Sequence, residues 1–295
     1  MRTLLRLRHA LLAAAALAPL LATAGGPWPQ RKGGGYAKLS SWNLRYDRHY
    51  TDLGRLDPNV TSGNHSVFLY AEYGFTDRLT AIFNGAVFAR ATQNERASAT
   101  TGETLTPGDA INGVGDLDLA VKYALTRPGS AWPVALTLQF GLPTGESAGG
   151  REGDLQLGDG EFNQLLRVDA GRGFSLGEGG APAYVSAYAG FNNRTNDFSD
   201  EWRGGLEAGV GLLGARLWLI GRLDVVESLK NGEPAAFSRR TGIFANNAEF
   251  VSLGIEANAY LTERLGVSAG VASAVRGEVI AAGASYSVGV FVDVK

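Results

Sequence analysis

The chain has 295 residues, of which 41 are glycine and none is cysteine, and its formal net charge is −2. Without cysteine, disulfide scaffolds, zinc–thiolate sites, iron–sulfur clusters and cysteine nucleophiles are excluded. The mean hydropathy of −0.04 argues against a bundle of membrane helices, and the apolar content of 45% is too high for a disordered chain.

The first 24 residues have the pattern of a cleaved secretory signal. Three arginines precede an apolar stretch at 10–21, and the small residues of 22–24 suit a signal peptidase. The alternative, an N-terminal membrane anchor, is disfavoured because the stretch is short and is interrupted by Pro19. Removing the segment leaves 24 basic and 29 acidic residues. We therefore expect an exported protein with no nucleic-acid partner, since phosphate binding needs a basic excess.

Apolar and polar residues alternate with a period of two along most of the remaining chain. In one stretch Leu119 and Val121 alternate with Asp118 and Lys122, which is typical of a strand with one apolar face. The same pattern recurs at 134–142, 206–212, 217–225, 251–259 and 286–294. With less regular stretches it predicts about twelve strands of about ten residues each.

The predicted connections between these strands alternate in length. Short ones fall at 76–78, 126–132, 213–215 and 262–264, and long ones near 51–65, 91–113, 143–161, 192–201, 227–248 and 276–283. A connection at 171–182 is long where the alternation requires a short turn. The alternation is typical of transmembrane barrels, in which short turns face the periplasm and long loops face outward. A soluble sandwich is the alternative, with turns every 8–12 residues.

We therefore predict an all-β chain that forms a closed antiparallel transmembrane β-barrel in the outer membrane. Residues 36–295 would form the barrel, and 25–35 a short periplasmic segment after the signal 1–24. Glycines inside strands are expected where the curved wall makes room for bulky inward side chains. Tyr73, Tyr123 and Tyr260 precede short turns and are expected at the membrane–water boundary.

One part of the sequence resembles a known family. Residues 113–123 read GVGDLDLAVKY, and LPTG at 142–145 and LGDG at 157–160 follow. This series is similar to motifs of the outer-membrane barrels of the MetA-pathway of phenol degradation, which are loosely related to long-chain fatty-acid transporters. The resemblance implies a 12-stranded barrel that passes small hydrophobic or aromatic molecules and has no catalytic residues. Those transporters carry an N-terminal plug, for which the ten residues after Gly25 are too few.

Charged residues of both signs fall on the polar faces of the predicted strands. Such residues would line the interior, where they set selectivity or occlude the pore. Alternatively they form opposite-charge ladders that hold the wall together. The candidates are Asp116, Asp118, Lys122, Arg167, Asp169, Arg203, Glu207, Arg216, Arg222, Asp224 and Glu256, together with Arg45, Asp47 and Glu72.

The expected function is a narrow channel or transporter for small hydrophobic or aromatic molecules. One alternative is a non-transporting structural or surface-interaction barrel that serves polysaccharide export or adhesion, and another is a soluble secreted β protein. Expected partners are outer-membrane lipid, lipopolysaccharide, the barrel-assembly machinery and a small hydrophobic solute.

The sequence predicts no enzyme, no cofactor and no metal site. Beyond the signal, the chain has two histidines, His49 and His65, both in the first long connection, and it has no G-x-S-x-G motif. Nucleophilic catalysis by serine needs such a base within hydrogen-bond reach. An acidic loop with Asp154, Asp159 and Glu161 departs from the spacing of a calcium-binding EF-hand.

Overall fold

The computed structural model describes residues 25–177, 180–233 and 242–294, without the side chain of Asn59. The predicted signal segment 1–24 lies outside the described residues. All regular secondary structure in these ranges is β-strand. Within them, no helix is long and apolar enough to cross a membrane.

Twelve antiparallel strands form the wall. They are β1 (Gly35–Tyr50), β2 (Leu56–Gly74), β3 (Leu79–Gln93), β4 (Leu117–Ala124), β5 (Val134–Leu142), β6 (Asn163–Leu176), β7 (Ala181–Arg194), β8 (Glu201–Leu212), β9 (Leu217–Ser228), β10 (Glu249–Tyr260), β11 (Leu265–Glu278) and β12 (Ala284–Val294). Shorter strands add to β3 (Asp109–Gly113) and to β1 (Ile280–Ala282), and Arg96–Ala97 pairs with Thr104–Thr106.

Each wall strand pairs with its neighbours in the chain, and β12 pairs with β1 to close the sheet. At the closure Gly35 lies opposite Val294 and Ser41 opposite Val288. Closure pairs both edges of the sheet, which removes the unpaired backbone groups that an apolar solvent penalises. The predicted closed barrel of about twelve strands is confirmed.

The alternation sorts side chains between the two faces of the wall. In β4 the outward Leu119 and Val121 are nearly half exposed, whereas the inward Lys122 is fully buried. In β12, Val288 and Val290 are exposed on the same outer face. A continuous apolar outer surface with a polar interior is the arrangement of transmembrane barrels.

Several connections are shorter than the sequence predicts, because the strands continue past the alternating residues. The connection from β1 to β2 is 51–55 rather than 51–65, so His49 and His65 lie in strands. Where a strand extends beyond the apolar outer surface, both of its faces are polar. The alternation of apolar and polar residues then disappears from the sequence, although the backbone hydrogen bonds between strands continue. Likewise, the connection from β6 to β7 is a short turn at 177–180, as the alternation required.

The two ends of the barrel therefore differ. The short-turn end carries the turns 75–78, 125–133, 177–180, 213–216 and 261–264 together with both described chain ends. The long-loop end carries long connections at 94–116, 143–162 and 229–248, and short ones at 51–55, 195–200 and 279–283.

Aromatic rings cover glycines on the inner face of the wall. A Cβ at Gly205 would overlap the Tyr188 ring, and one at Gly209 would overlap the Tyr184 ring. These glycines make room for bulky inward side chains, as predicted.

The repeated tyrosines divide between the two faces. Tyr73 and Tyr123 are about half exposed near short turns, which suits a membrane boundary. Tyr260 faces inward, where its ring packs on Phe291 at 5.0 Å and its hydroxyl donates to Asp293. The expectation that Tyr260 lies at the membrane–water boundary is therefore wrong.

Candidate functional site

The N-terminal segment, residues 25–34, fills the mouth of the barrel at the short-turn end. The backbone N–H of Gln30 donates to Thr80 Oγ1 at 2.9 Å, and the Trp28 ring packs edge-on against Tyr184, with centroids 5.5 Å apart. Contacts from β3 to β7 place the segment across the interior. Residues 25–34 thus lie within the mouth of the barrel.

A buried ion pair holds this segment. Lys122 Nζ lies 3.4 Å from Glu72 Oε1, and both side chains are almost fully buried. Glu72 also accepts hydrogen bonds from Gln30 Nε2 at 2.8 Å and from the Tyr70 hydroxyl, while Lys122 reaches the Trp28 carbonyl oxygen. Since a buried carboxylate must be paired or hydrogen-bonded, Glu72 is the main anchor of the segment.

A cavity of about 470 Å³ lies in the interior beyond the N-terminal segment. We call it the central cavity. Its lining combines aromatic rings with charged side chains on facing strands. The aromatic residues are Tyr36, Trp42, Phe68, Tyr70, Tyr188, Trp218, Tyr260 and Phe291.

The charges around the central cavity form a continuous series of ion pairs. Lys38 Nζ lies 2.9 Å from Glu256, Arg222 Nη1 lies 3.0 Å from Glu256, and Arg222 Nε lies 2.6 Å from Glu207. The Tyr184 hydroxyl donates to Glu207 at 2.6 Å. The series runs from β7 through β8, β9 and β10 to β1, so it braces the wall across the interior.

A second group of charged side chains lies on β6 and β9. Arg167 makes two hydrogen bonds to Asp169, at 2.9 and 2.7 Å. Its guanidinium lies 4.5 Å from the centre of the Tyr188 ring, and the Tyr188 hydroxyl donates to Asp224 at 2.8 Å. Planar, bidentate pairs of this kind are directional, so these cations are fixed in place.

At the long-loop end, Asp116 binds the connection 143–162. Its carboxylate oxygens accept the backbone N–H groups of Gly145 and Asp159, each at 2.9 Å. A Cβ at Gly158 would overlap the same carboxylate. The motifs that carry the family resemblance therefore meet here, where they attach a long loop to the wall.

This loop turns into the barrel. Leu155 and Leu157 are buried and pack against Ala86 and Ala89 of β3, with Phe68 beside them. Burial of apolar side chains inside the wall stabilises the inward position of the loop.

Arg194, at the end of β7, joins three carboxylates beneath the loop. Its Nε lies 2.7 Å from Glu161, its Nη1 2.7 Å from Glu201 and its Nη2 3.2 Å from Asp159. The Arg194 side chain is 4% exposed. One buried cation of β7 thus serves three anions, two from the loop and one from β8.

Two loop carboxyls titrate away from their ordinary range. Burial, and then the negative charge of Asp116, raise the pKa of Asp159 to about 6. Burial also raises the pKa of Glu161, although the neighbouring Arg194 opposes this shift. The loop attachment is therefore sensitive to proton concentration near neutral pH.

A second cavity of about 320 Å³ lies beneath the inward loop. Trp42, Phe68 and Asn84 line both cavities. The rings of Trp42 and Phe68 meet edge to face, with centroids 6.3 Å apart. These side chains occupy the junction between the two spaces.

Most predicted interior residues lie on the inner face of the wall. Arg203 pairs with Glu201 at 2.7 Å, and Lys122 lies in the mouth. Asp116 and Asp118 line the second cavity. Those at the central cavity are Arg167, Asp169, Glu207, Arg222, Asp224 and Glu256.

Three predicted interior residues are wrongly assigned. Arg216 is exposed in the turn before β9, because the strand begins one residue later, at Leu217. Arg45 and Asp47 are exposed, whereas Leu44 and Tyr46 between them are buried. In this part of β1 the apolar side chains face inward and pack against Ile243 and Ala281. The polar side chains therefore face outward, which is the reverse of the usual pattern.

The sequence analysis missed Lys38, Glu201 and Arg194. For Lys38 the available signal was its alternation with Leu39, which predicts that the two side chains lie on opposite faces. Leu39 is exposed on the outer face, so Lys38 faces inward. No periodic signal marks Arg194, which lies at a strand end.

Comparison with known proteins bears on the fold. No family model matches the sequence, and no curated protein matches it. The COG4313 outer membrane channel from Pseudomonas putida F1 has a similar structure, with a TM-score of 0.59, 16% identity, and coverage of 92% of this chain and 99% of that chain. The beta domain of the Bordetella autotransporter BrkA follows with a TM-score of 0.50, 15% identity, and coverage of 89% and 99%.

At these identities the likeness concerns the fold alone. The class that the wall, the outer face and these neighbours define is the outer-membrane β-barrel. Within that class, the barrel interior is the candidate functional site.

Proposed function

We propose that the protein is a narrow outer-membrane channel for small molecules that carry hydrophobic or aromatic groups. The observation that supports it is the central cavity of about 470 Å³, enclosed by a complete wall and lined by aromatic rings. Cavities of roughly 300 to 1,000 Å³ suit one small organic molecule.

The lining favours such a solute over an inorganic ion. Aromatic faces offer apolar contact area with few internal rotations. The facing charges are already paired with each other, as in the Arg222 contacts to Glu207 and Glu256. We therefore expect weak selectivity between cations and anions and passage of solutes with an apolar part.

We also propose the cellular setting that the class implies. Outer-membrane lipid and lipopolysaccharide would cover the apolar outer face, and the barrel-assembly machinery would insert the chain. Membership of the MetA-pathway of phenol degradation family belongs to the same proposal, supported by the motifs at 113–123 and 142–160. Transport rather than catalysis fits His65, whose Nδ1 is hydrogen-bonded to Asn43 at 2.6 Å.

Uptake into proteoliposomes tests the channel. We expect an aromatic sulfonate, which does not cross lipid unaided, to enter faster than a pentose of similar size. Trp42→Ala, which opens the junction of the two cavities, should increase entry of both kinds of solute. Tyr286→Ala is the matched control, since Tyr286 is 62% exposed on the outer face, and it should change nothing.

A non-transporting structural or surface-interaction barrel is the second candidate. Two features favour it. The segments 25–34 and 143–162 occupy the two ends of the interior, and the charged side chains between them are joined in ion pairs. If no solute enters through the wild-type protein or the Trp42→Ala variant, the channel proposal is wrong and this candidate replaces it.

A further inference from the structure

The first described residue, Gly25, lies inside the barrel beside the buried anchor of the N-terminal segment. Its backbone nitrogen is 3.1 Å from Glu72 Oε1. Gly25 and Gly26 line the central cavity. The predicted signal peptidase site lies between Ala24 and Gly25, so this nitrogen is the one that cleavage would set free.

We propose that Glu72 is the binding site for the α-ammonium group of the processed chain. Signal peptidase hydrolyses the Ala24–Gly25 bond: the C–N bond breaks, the oxygen of water joins the Ala24 carbonyl carbon to form a carboxylate, and a proton of water passes to the Gly25 nitrogen to form the amine. At neutral pH a large part of such amines carries an added proton. The resulting ammonium donates three hydrogen bonds where the peptide nitrogen donates one, and it forms an ion pair with Glu72.

The ammonium would take the place of the Gly25 peptide N–H at Oε1, which also accepts the Tyr70 hydroxyl. Lys122 Nζ lies 3.4 Å from Glu72 Oε1, which exceeds the roughly 2.7–2.9 Å of a charge-assisted hydrogen bond. Lys122 is also shared with the Trp28 carbonyl oxygen. The ammonium would approach Oε1 from the central cavity, where water can solvate its remaining protons.

Two measurements on the protein extracted from outer membranes test the proposal. N-terminal sequencing should give Gly25 as the first residue, and any other first residue overturns it. The α-amine should then react with an acyl ester at pH 7 about tenfold or more slowly in the folded protein than after heat unfolding, because the ion pair retains its proton. Equal rates in the two states would overturn the proposal.

Variants separate the ion pair from simple shielding. Glu72→Gln preserves shape but removes the charge, and it should accelerate labelling, whereas Glu263→Gln in an exposed turn should not. Insertion of two glycines between Ala24 and Gly25 moves the amine off Glu72 and should accelerate labelling in a barrel that retains Glu72. Unchanged labelling in the insertion variant overturns the proposal. These outcomes do not depend on whether any solute crosses the barrel.

Discussion

The two ends of the barrel interior are closed by different parts of the chain. At the short-turn end, the N-terminal segment 25–34 is anchored chiefly by Glu72. At the long-loop end, the connection 143–162 is joined to the wall at both of its ends and is held by Asp116 and Arg194. A segment that is covalently joined to the wall at one end can leave the interior without opening the wall. A loop that is joined to wall strands at both ends must rearrange in place. We therefore expect the short-turn end to open more readily.

The largest effect is expected from Arg194→Ala. Removing this cation leaves Asp159 and Glu161 buried without a counter-charge, whereas Glu201 keeps Arg203. Breaking a buried pair in this way costs about 3–5 kcal/mol. Protease cleavage within 143–162 should become fast, and the heat-unfolding midpoint on gels should fall. The exposed Arg216→Ala is the control. A loop that stays protected in Arg194→Ala would show that Arg194 is not its anchor.

Lys122→Met should loosen the opposite end. Glu72 then keeps the side-chain donors Gln30 and Tyr70 and the Gly25 nitrogen. We therefore expect a loss smaller than the roughly 3–5 kcal/mol of a buried charge left without any partner cation. The fluorescence of Trp28 should shift toward that of a solvent-exposed indole while the loop at the other end stays protected. Lys32→Met, at the exposed rim, should leave both readouts unchanged. Simultaneous loosening of both ends would contradict their independence.

Acidification should tighten the long-loop end. The folded loop raises the pKa of Asp159 from 3.8 to about 6, so it binds this proton more tightly than the released loop does. Its stability is then highest below about pH 4 and falls by on the order of 2 kcal/mol as pH rises to 6. Protease protection of 143–162 should therefore be greater at pH 5 than at pH 7.

Asp159→Asn removes the group with the largest shift and should reduce this difference, while Glu161 keeps its raised pKa. Asp197→Asn, at an exposed position in the neighbouring connection, should retain it. Greater protection at pH 7 than at pH 5 in the wild type would reverse the sign and refute the account.

The smallest effect concerns the wall between the two ends. Gly205→Ala would press on the Tyr188 ring, whereas Gly204 has its nearest neighbour at 3.5 Å on the outer face. We expect Gly205→Ala to cost about 1–2 kcal/mol through overpacking and Gly204→Ala to cost much less. Equal heat-unfolding midpoints for the two variants would show that ring packing does not stabilise the wall.

The wall and its inner charges could be predicted because strand geometry is periodic. Alternation assigned Asp118, Lys122 and Arg222 to the inner face, and closure followed from the need to pair every strand edge. Alternation placed Arg45 of β1 on the wrong face. Apolar loop residues pack inside that part of the barrel, so the apolar side chains of β1 face inward there and Arg45 faces outward.

The closures at both ends could not be predicted, because they depend on contacts between segments far apart in sequence. Leu155 and Leu157 lie in a loop without a periodic pattern. Arg194 gains its role only when the distant loop carboxylates Asp159 and Glu161 converge on it. The buried Pro27 and the neighbouring Trp28, an apolar pair among glycines, were the available signal for the N-terminal segment.

Planar-bilayer conductance tests most directly whether the interior is a channel closed at the short-turn end by the N-terminal segment. We compare the wild type with a variant that lacks residues 25–31, in which the wall strands are unchanged. The account predicts a small, intermittent conductance for the wild type and a larger, steadier one for the variant. The absence of conductance in both proteins would contradict it.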